Sequence, residues 1–174
     1  MQMNNYCPYP LALKLKKAGY DELCDCSYGT QPTHKDGSPM SDEEEFRLRS
    51  EGRIGEITYT PGTVVYDFYN TNSELDGEPV VADCEECSRM LYTEAEDWLS
   101  KKHNITVSVE PYVTTEGFFY LYKVFQNVRC MPFTGKGVDM MVTKLAEKIG
   151  FESIENARCN GMLFALDNIL DRKK

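Results

Sequence analysis

The stretch NITVSVEPYVTTEGFFYLYKVFQNV, residues 104–128, decides the fold class of this chain. In its first part Ile105, Val107 and Val109 are apolar and the residues between them are polar, which is typical of a half-buried strand. The second part, FFYLYKVFQNV, is apolar on both faces, so it is expected to be a central strand or to be covered by a helix. The loop EPYVTTEG joins them, and we therefore predict an antiparallel pair.

Residues 54–69 indicate further β-structure. The runs IGEITYT and TVVYDFY are rich in β-branched and aromatic residues and meet at Pro61-Gly62. Two strands are predicted here, although Pro-Gly is not a favoured hairpin pair, and a single bent strand is the alternative. Strands that come in adjacent pairs favour the α+β class over an alternating α/β arrangement.

Helical periodicity predicts four helices, over residues 8–19, 83–103, 136–150 and 153–171. The segment 83–103 is interpreted as one long helix, and a second helix start at Thr93 is the alternative. An apolar stripe supports the long helix; it consists of Cys84, Cys87, Leu91, Ala95, Trp98 and Leu99. Ser153 is the expected N-cap of the last helix. The predicted fold is a mostly antiparallel sheet of three to five strands, packed against a long central helix and a C-terminal helix.

A length of 174 residues favours a single domain over residues 1–174. Residues 27–53 form a polar insertion that is either mobile or contains a short helix over Asp42–Ser50, with Phe46 and Leu48 partly buried. The start of the chain lacks the pattern of a secretory signal, and no apolar run is long enough to span a membrane. These observations predict a cytoplasmic protein.

The formal net charge is −9, which argues against general nucleic-acid binding. The acidity is concentrated in residues 21–45 and 74–97, with nets of −7 and −8. One interpretation is solvated loops and helix faces, and the other is a surface for a basic protein partner. The candidate partner-binding acids are Asp42, Glu43, Glu44, Glu45, Glu85 and Glu86.

Four of the seven cysteines suggest a metal site. Cys24, Cys26, Cys84 and Cys87 could supply four thiolates to zinc, although Cys-x-Cys is less typical of zinc sites than Cys-x-x-Cys. The alternative is that Cys84 and Cys87 are core residues, because they lie on the apolar stripe of the predicted helix. A redox pair is disfavoured, since the surrounding acids would raise a thiol pKa.

No catalytic constellation is indicated. His34 lies in a polar loop and His103 at a predicted helix end, and Thr134-Gly135-Lys136-Gly137 lacks phosphate-loop spacing. Many of the eleven tyrosines lie in or beside predicted strands, a pattern that suits sheet packing or contact with protein partners.

Three blocks of the chain resemble a known group of proteins. They are LKKAGYDELC at residues 15–24, EAEDWLSKKHNI at residues 94–105, and the Ser153-x-x-x-Ala157 pattern. They are similar to small uncharacterised proteins encoded by Bacteroides and by their phages and mobile elements. This chain departs from that group in its 27–53 insertion, its Cys-x-x-Cys and its predicted helix 136–150. The resemblance implies a phage or mobile-element origin and carries no activity.

The sequence therefore predicts a non-enzymatic accessory protein that acts through protein–protein contacts. It could act as a homo-oligomer or as an inhibitor directed at a host protein. The alternative is a small zinc-binding regulatory protein that uses Cys24, Cys26, Cys84 and Cys87. No cofactor other than zinc is expected.

Overall fold

The structure is a computed structural model that describes residues 5–65, 70–73, 75, 85–129 and 140–172. Within these residues the chain is α+β, as predicted, with four α-helices and two three-stranded antiparallel sheets. The helices are α1 Tyr9–Ala18, α2 Asp42–Ser50, α3 Tyr92–His103 and α4 Ile154–Asp171. The strands are β1 Ser27–Thr33, β2 Thr58–Val65, β3 Cys87–Ser88, β4 Ile105–Thr114, β5 Gly117–Arg129 and β6 Met140–Phe151.

The chain forms two compact units. Unit 1 consists of Met1–Ala18 and Leu91–Lys174, and unit 2 is Gly19–Met90. Unit 2 is thus inserted in sequence between α1 and α3. Unit 1 contains the sheet β4-β5-β6, and unit 2 contains the sheet β2-β1-β3.

The antiparallel pair predicted from residues 104–128 is the centre of unit 1. β4 and β5 pair without interruption from Ile105 opposite Gln126 to Thr114 opposite Gly117. The predicted loop EPYVTTEG is therefore mostly strand, and only Thr115 and Glu116 connect the two strands. β5 is the central strand, as its apolar faces indicated, because β6 pairs along its other side.

Helix α4 packs on the sheet of unit 1, and α1 packs on α4. The predictions for the first and last helices are confirmed, and Ser153 caps α4 by accepting a hydrogen bond from the Asn156 N–H at 3.1 Å. The buried apolar side chains of unit 1 come from every layer. They include Leu11, Leu15, Leu99, Ile105, Val124, Met162 and Leu166.

The prediction of one long helix over residues 83–103 is wrong for residues 85–91, which the structure describes and which are not helical. Residues 87–88 form β3, which pairs with β1, and α3 begins only at Tyr92. The Leu91 N–H donates to the Glu94 carboxylate at 2.8 Å, which fixes this later start. Cys87 and Ser88 are both fully buried by strand pairing, a tertiary contact that helical periodicity does not detect. Cys84 lies outside the described residues.

The predicted helix over residues 136–150 is also wrong. From Met140 onward the chain is β6, while residues 136–139 lie outside the described part. The pairing of β6 with β5 shifts register at two points, opposite Tyr120/Leu121 and Val124/Phe125. Each shift breaks the two-residue alternation of a strand, so the apolar residues of β6 recur at a spacing that resembles a helix.

Residues 54–65 form a short 3-10 helix, Ile54–Glu56, and a single strand. β2 runs through Pro61-Gly62, and its pairing with β1 shifts there, so the bent single strand is correct for the described residues. Gly62 has a φ of +80° at this irregularity, a conformation that glycine adopts without strain. Residues 66–69 lie outside the described part.

The polar segment 27–53 contains two elements. The short helix over Asp42–Ser50 is confirmed with the predicted bounds, and Ser41 caps it. Leu48 is buried with Met40 and Ile57, but Phe46 is 75% exposed, so the expected partial burial of Phe46 is wrong. Strand β1 was not predicted, because Gly29 and Pro32 lower the strand propensity of SYGTQPT.

Among the described residues, no helix is both long and apolar enough to cross a membrane.

Candidate functional site

The four predicted partner-binding acids of α2 lie in its first turn, where negative charge is favourable. Asp42 and Glu43 are exposed. The Glu44 carboxylate lies 3.3 Å from Arg47 Nη2 and 3.5 Å from His34 Nε2. Asp42 and Glu43 therefore lie on a solvated helix face, whereas Glu44 contacts side chains of unit 2.

Glu45 is the most engaged of these acids. The Tyr59 hydroxyl donates to Glu45 Oε1 at 2.6 Å and Arg49 Nε donates to the same oxygen at 2.9 Å. These bonds, first from Tyr59 and then from Arg49, hold the pKa of Glu45 below its usual value. Arg49 also donates to the Tyr59 hydroxyl, so the three side chains form one network between α2 and β2.

Glu85 and Glu86 immediately precede β3. Glu85 is half-buried and Glu86 is exposed. The sheet order β2-β1-β3 puts β3 at one edge, whereas α2 is bonded to β2 at the other. The acids of α2 therefore lie beside β2, whereas Glu85 and Glu86 lie beside β3 at the other edge of the sheet.

Three of the four predicted zinc ligands are buried in unit 2, namely Cys24, Cys26 and Cys87. Cys87 pairs with Tyr28, and the Arg89 N–H donates to the Cys26 carbonyl at 2.9 Å. This register places Cys26 and Cys87 on the same face of the β1–β3 pair, as diagonal neighbours.

The environment of the Cys26 thiol opposes its ionisation. Burial raises the pKa of this thiol and a hydrogen bond to Asp25 adds to the increase, while Arg89 partly counters both. Cys24 Sγ lies 3.6 Å from the Glu22 carbonyl oxygen. No group of three or more histidine, cysteine or acidic side chains that could hold a metal occurs in the described part of the chain. Cys84, the fourth predicted ligand, is outside it.

A second thiol, Cys159, lies in unit 1 beside Tyr92. A cavity of about 200 Å³ opens here, lined by Tyr6, Pro8, Tyr92, Glu155, Asn156 and Cys159. Burial raises the pKa of both Tyr92 and Cys159. A thiol nucleophile is typically activated by a lowered pKa, and the shift at Cys159 and Cys26 is in the opposite direction.

The remaining sequence motifs give no shared site. His34 contacts Glu44 in unit 2. In unit 1 the ring centroids of His103 and Trp98 lie 4.6 Å apart. Thr134-Gly135-Lys136-Gly137 and Cys130 lie outside the described residues.

The end of the β4–β5 hairpin exposes large apolar side chains. Val113 is 72% exposed, Phe118 56% and Tyr112 38%. Val113 and Phe118 are directly paired across the hairpin, and β6 reaches only as far as Tyr120 opposite Phe151. We call Tyr112, Val113 and Phe118 the hairpin tip. The sequence does not reveal this surface, because residues 110–117 are predicted to form a loop and Phe118 is predicted to lie in a strand with both faces covered.

Comparison of this chain with protein-family models, with curated proteins and with solved structures found no match.

Proposed function

We propose that this protein is a non-enzymatic accessory protein that acts through protein–protein contacts, and that the hairpin tip is its main contact surface. The observation that carries the proposal is the exposure of Val113 and Phe118, which pair on one face at the end of the unit 1 sheet, together with Tyr112, which is exposed on the opposite face. Tyrosine and phenylalanine are enriched at the cores of protein interfaces. An inhibitor directed at a host protein is the specific form of this proposal, and it would suit the phage or mobile-element origin that the resemblance implies.

The energetics of the hairpin tip favour a partner. Burying a valine or phenylalanine side chain that was exposed contributes about 1.5–3 kcal/mol. Phe118 is already oriented by an edge-to-face contact with Tyr120, with 5.3 Å between the ring centroids. A partner would therefore gain apolar contact while ordering few side chains.

The edges of the same sheet are less suited to binding by strand addition. β6 carries two register shifts and the charged residues Lys144, Glu147 and Lys148, features that blunt an edge strand. β4 contains Pro111, which lacks a backbone N–H. Side-chain contact at the hairpin tip is therefore favoured over pairing along an edge.

The test is affinity capture from a Bacteroides lysate followed by a binding titration with the purified partner. Val113→Ser together with Phe118→Ser should weaken binding by about 100-fold or more, because apolar anchors at an interface centre are hot spots. Phe46→Ser is the matched control, since Phe46 is also an exposed phenylalanine but lies on α2. It should leave binding unchanged.

Sedimentation of the purified protein separates the possible occupants. A dimer that the Val113→Ser/Phe118→Ser variant dissociates would identify a second copy as the partner. A partner that binds this variant as tightly as the unaltered protein would show that the hairpin tip is not the contact surface.

A zinc-binding regulatory protein is the second candidate, and the shared face of Cys26 and Cys87 favours it. Its test is metal analysis of protein purified without chelator. Stoichiometric zinc that is lost in a Cys26→Ser/Cys87→Ser variant would support this function, and zinc-free protein with full stability would exclude it.

A further inference from the structure

A small cavity in unit 1 combines an apolar floor with a cationic rim. It measures about 170 Å³ and is lined by His103, Ile105, Ile169 and Arg172. Ile105 and Ile169 are buried, so they form the floor, while His103 is half-buried and Arg172 is exposed. We call this the His103–Arg172 cavity.

The rim of the His103–Arg172 cavity is held in place by Gln126 of β5. Arg172 Nη1 donates to Gln126 Oε1 at 3.2 Å. The Gln126 Nε2 donates in turn to the His103 carbonyl at 2.9 Å and to the Asn104 carbonyl at 3.3 Å. One amide therefore links the guanidinium to the end of α3, which orients both walls.

The positive charge in the lining of the His103–Arg172 cavity comes from Arg172. A guanidinium has five N–H donors, and the bond to Gln126 occupies one of them. The last turn of α3 also carries Lys101 and Lys102, which do not line the cavity, and Lys101 is paired with Asp97 at 2.9 Å. Asp171 is the acid nearest in sequence, and it is exposed at the end of α4.

The size of the cavity limits the ligand. An apolar protein cavity of about 150 Å³ accommodates benzene, so the space here suits an apolar group of that size. We propose that the His103–Arg172 cavity binds a small carboxylate with an apolar body. The apolar body lies on Ile105 and Ile169, and the carboxylate accepts hydrogen bonds from Arg172. This site is independent of the hairpin tip.

The test is a titration of the protein with benzoate, monitored by NMR. Trp98 is the one tryptophan of the chain, and its ring centroid lies 4.6 Å from that of His103, which lines the cavity. The single indole N–H signal therefore reports on the cavity. We expect a saturable shift with a midpoint on the order of 1 mM, typical of a fragment-sized ligand. Benzamide, which has the same shape without the charge, should bind at least about 10-fold more weakly because it lacks the charge-assisted bonds.

Two substituted proteins and a titration with inorganic phosphate complete the test. Arg172→Gln should weaken benzoate binding at least about 10-fold. Lys101→Gln, which removes a positive charge from the last turn of α3 outside the cavity lining, should change benzoate binding less than about twofold. An indole shift that is equal for benzoate and benzamide, that persists in Arg172→Gln, or that inorganic phosphate reproduces at equal ionic strength would overturn the proposal. Absence of any saturable shift would overturn it as well.

Discussion

At Gly161 the sheet of unit 1 approaches α4 so closely that no side chain fits. A Cβ atom at this position would lie 2.7 Å from Val107 Cγ1 and 3.1 Å from Tyr122 Cγ. Val107 is β-branched and stiff, so it cannot move aside cheaply. Glycine has a low helix propensity and so weakens α4 locally, but it permits the close packing of α4 on β4 and β5.

We predict that Gly161→Ala destabilises the protein by about 1–3 kcal/mol, because overpacking outweighs the gain of about 1 kcal/mol in helix propensity. Chemical denaturation measures the free energy of unfolding. Gly55→Ala is the control, since a Cβ there meets nothing within 4 Å. Adding Val107→Ala to Gly161→Ala should recover part of the loss. A Gly161→Ala protein more stable than the unaltered one would contradict the close packing.

At the scale of elements, α2 is held to β2 by both apolar and polar contacts. Met40, Leu48 and Ile57 form a small buried cluster, and Tyr59 packs against it. The Tyr59 hydroxyl also donates to Glu45 at 2.6 Å. A helix of nine residues is too short to be stable alone, so these contacts decide whether α2 forms.

We predict that Tyr59→Phe lowers the free energy of unfolding by about 1 kcal/mol at pH 7, the typical value of one hydrogen bond. The folded-state pKa of Glu45 is lowered from an ordinary value of 4.5, so its stabilisation is present above that pH. It is lost as the pH falls through the lower, folded-state pKa. The difference between Tyr59→Phe and the unaltered protein should therefore shrink in acid.

Denaturation curves at pH 7 and at an acidic pH below the folded-state pKa of Glu45 check this pH dependence. Tyr112→Phe is the matched control, because Tyr112 lies on the exposed hairpin tip. It should change stability little at either pH. A cost of Tyr59→Phe that is the same at both pH values would show that Glu45 is not the relevant acceptor.

The elements that local pattern predicted well are those whose periodicity agrees with their final contacts. β4 alternates regularly and pairs without a shift, and α4 has a long apolar stripe and a serine cap. The two wrong elements have local patterns that tertiary contacts override. Cys87 lies on an apolar stripe of helical spacing, but it is part of β3, which pairs with β1. In β6 the alternation of apolar and polar residues is interrupted at two register shifts.

At the scale of the whole molecule, unit 1 is built from two separate parts of the chain. α1 packs on α4, its residues Leu11 and Leu15 are buried, and Lys14 forms an ion pair with Asp167 of α4. The Tyr92 N–H also donates to the Asn5 carbonyl at 2.9 Å. The N-terminal part is therefore integral to unit 1, although unit 2 separates it in sequence.

We predict that unit 1 folds without unit 2. Residues 19–90 are replaced by a flexible Gly/Ser linker, and cooperative thermal unfolding with retained helical circular dichroism is the expected result, because the α1–α4 packing and the sheet remain intact. The same variant without residues 1–18 should lose cooperativity, since α4 would expose its contact with α1. If the linker variant is unfolded, the two units do not fold independently.

The sequence by itself determined the α+β class, the hairpin of β4 and β5, the outer helices α1 and α4, and the short helix α2. These follow from local periodicity, capping residues and charge, which act over a few residues. Tertiary structure decided β1, β3 and β6, the engagement of Glu44 and Glu45, the shared face of Cys26 and Cys87, the hairpin tip and the His103–Arg172 cavity. Most of these depend on groups far apart in the chain, whose pairing becomes favourable only when folding brings them together, whereas the exposure of the hairpin tip depends on which surfaces the rest of the fold leaves uncovered.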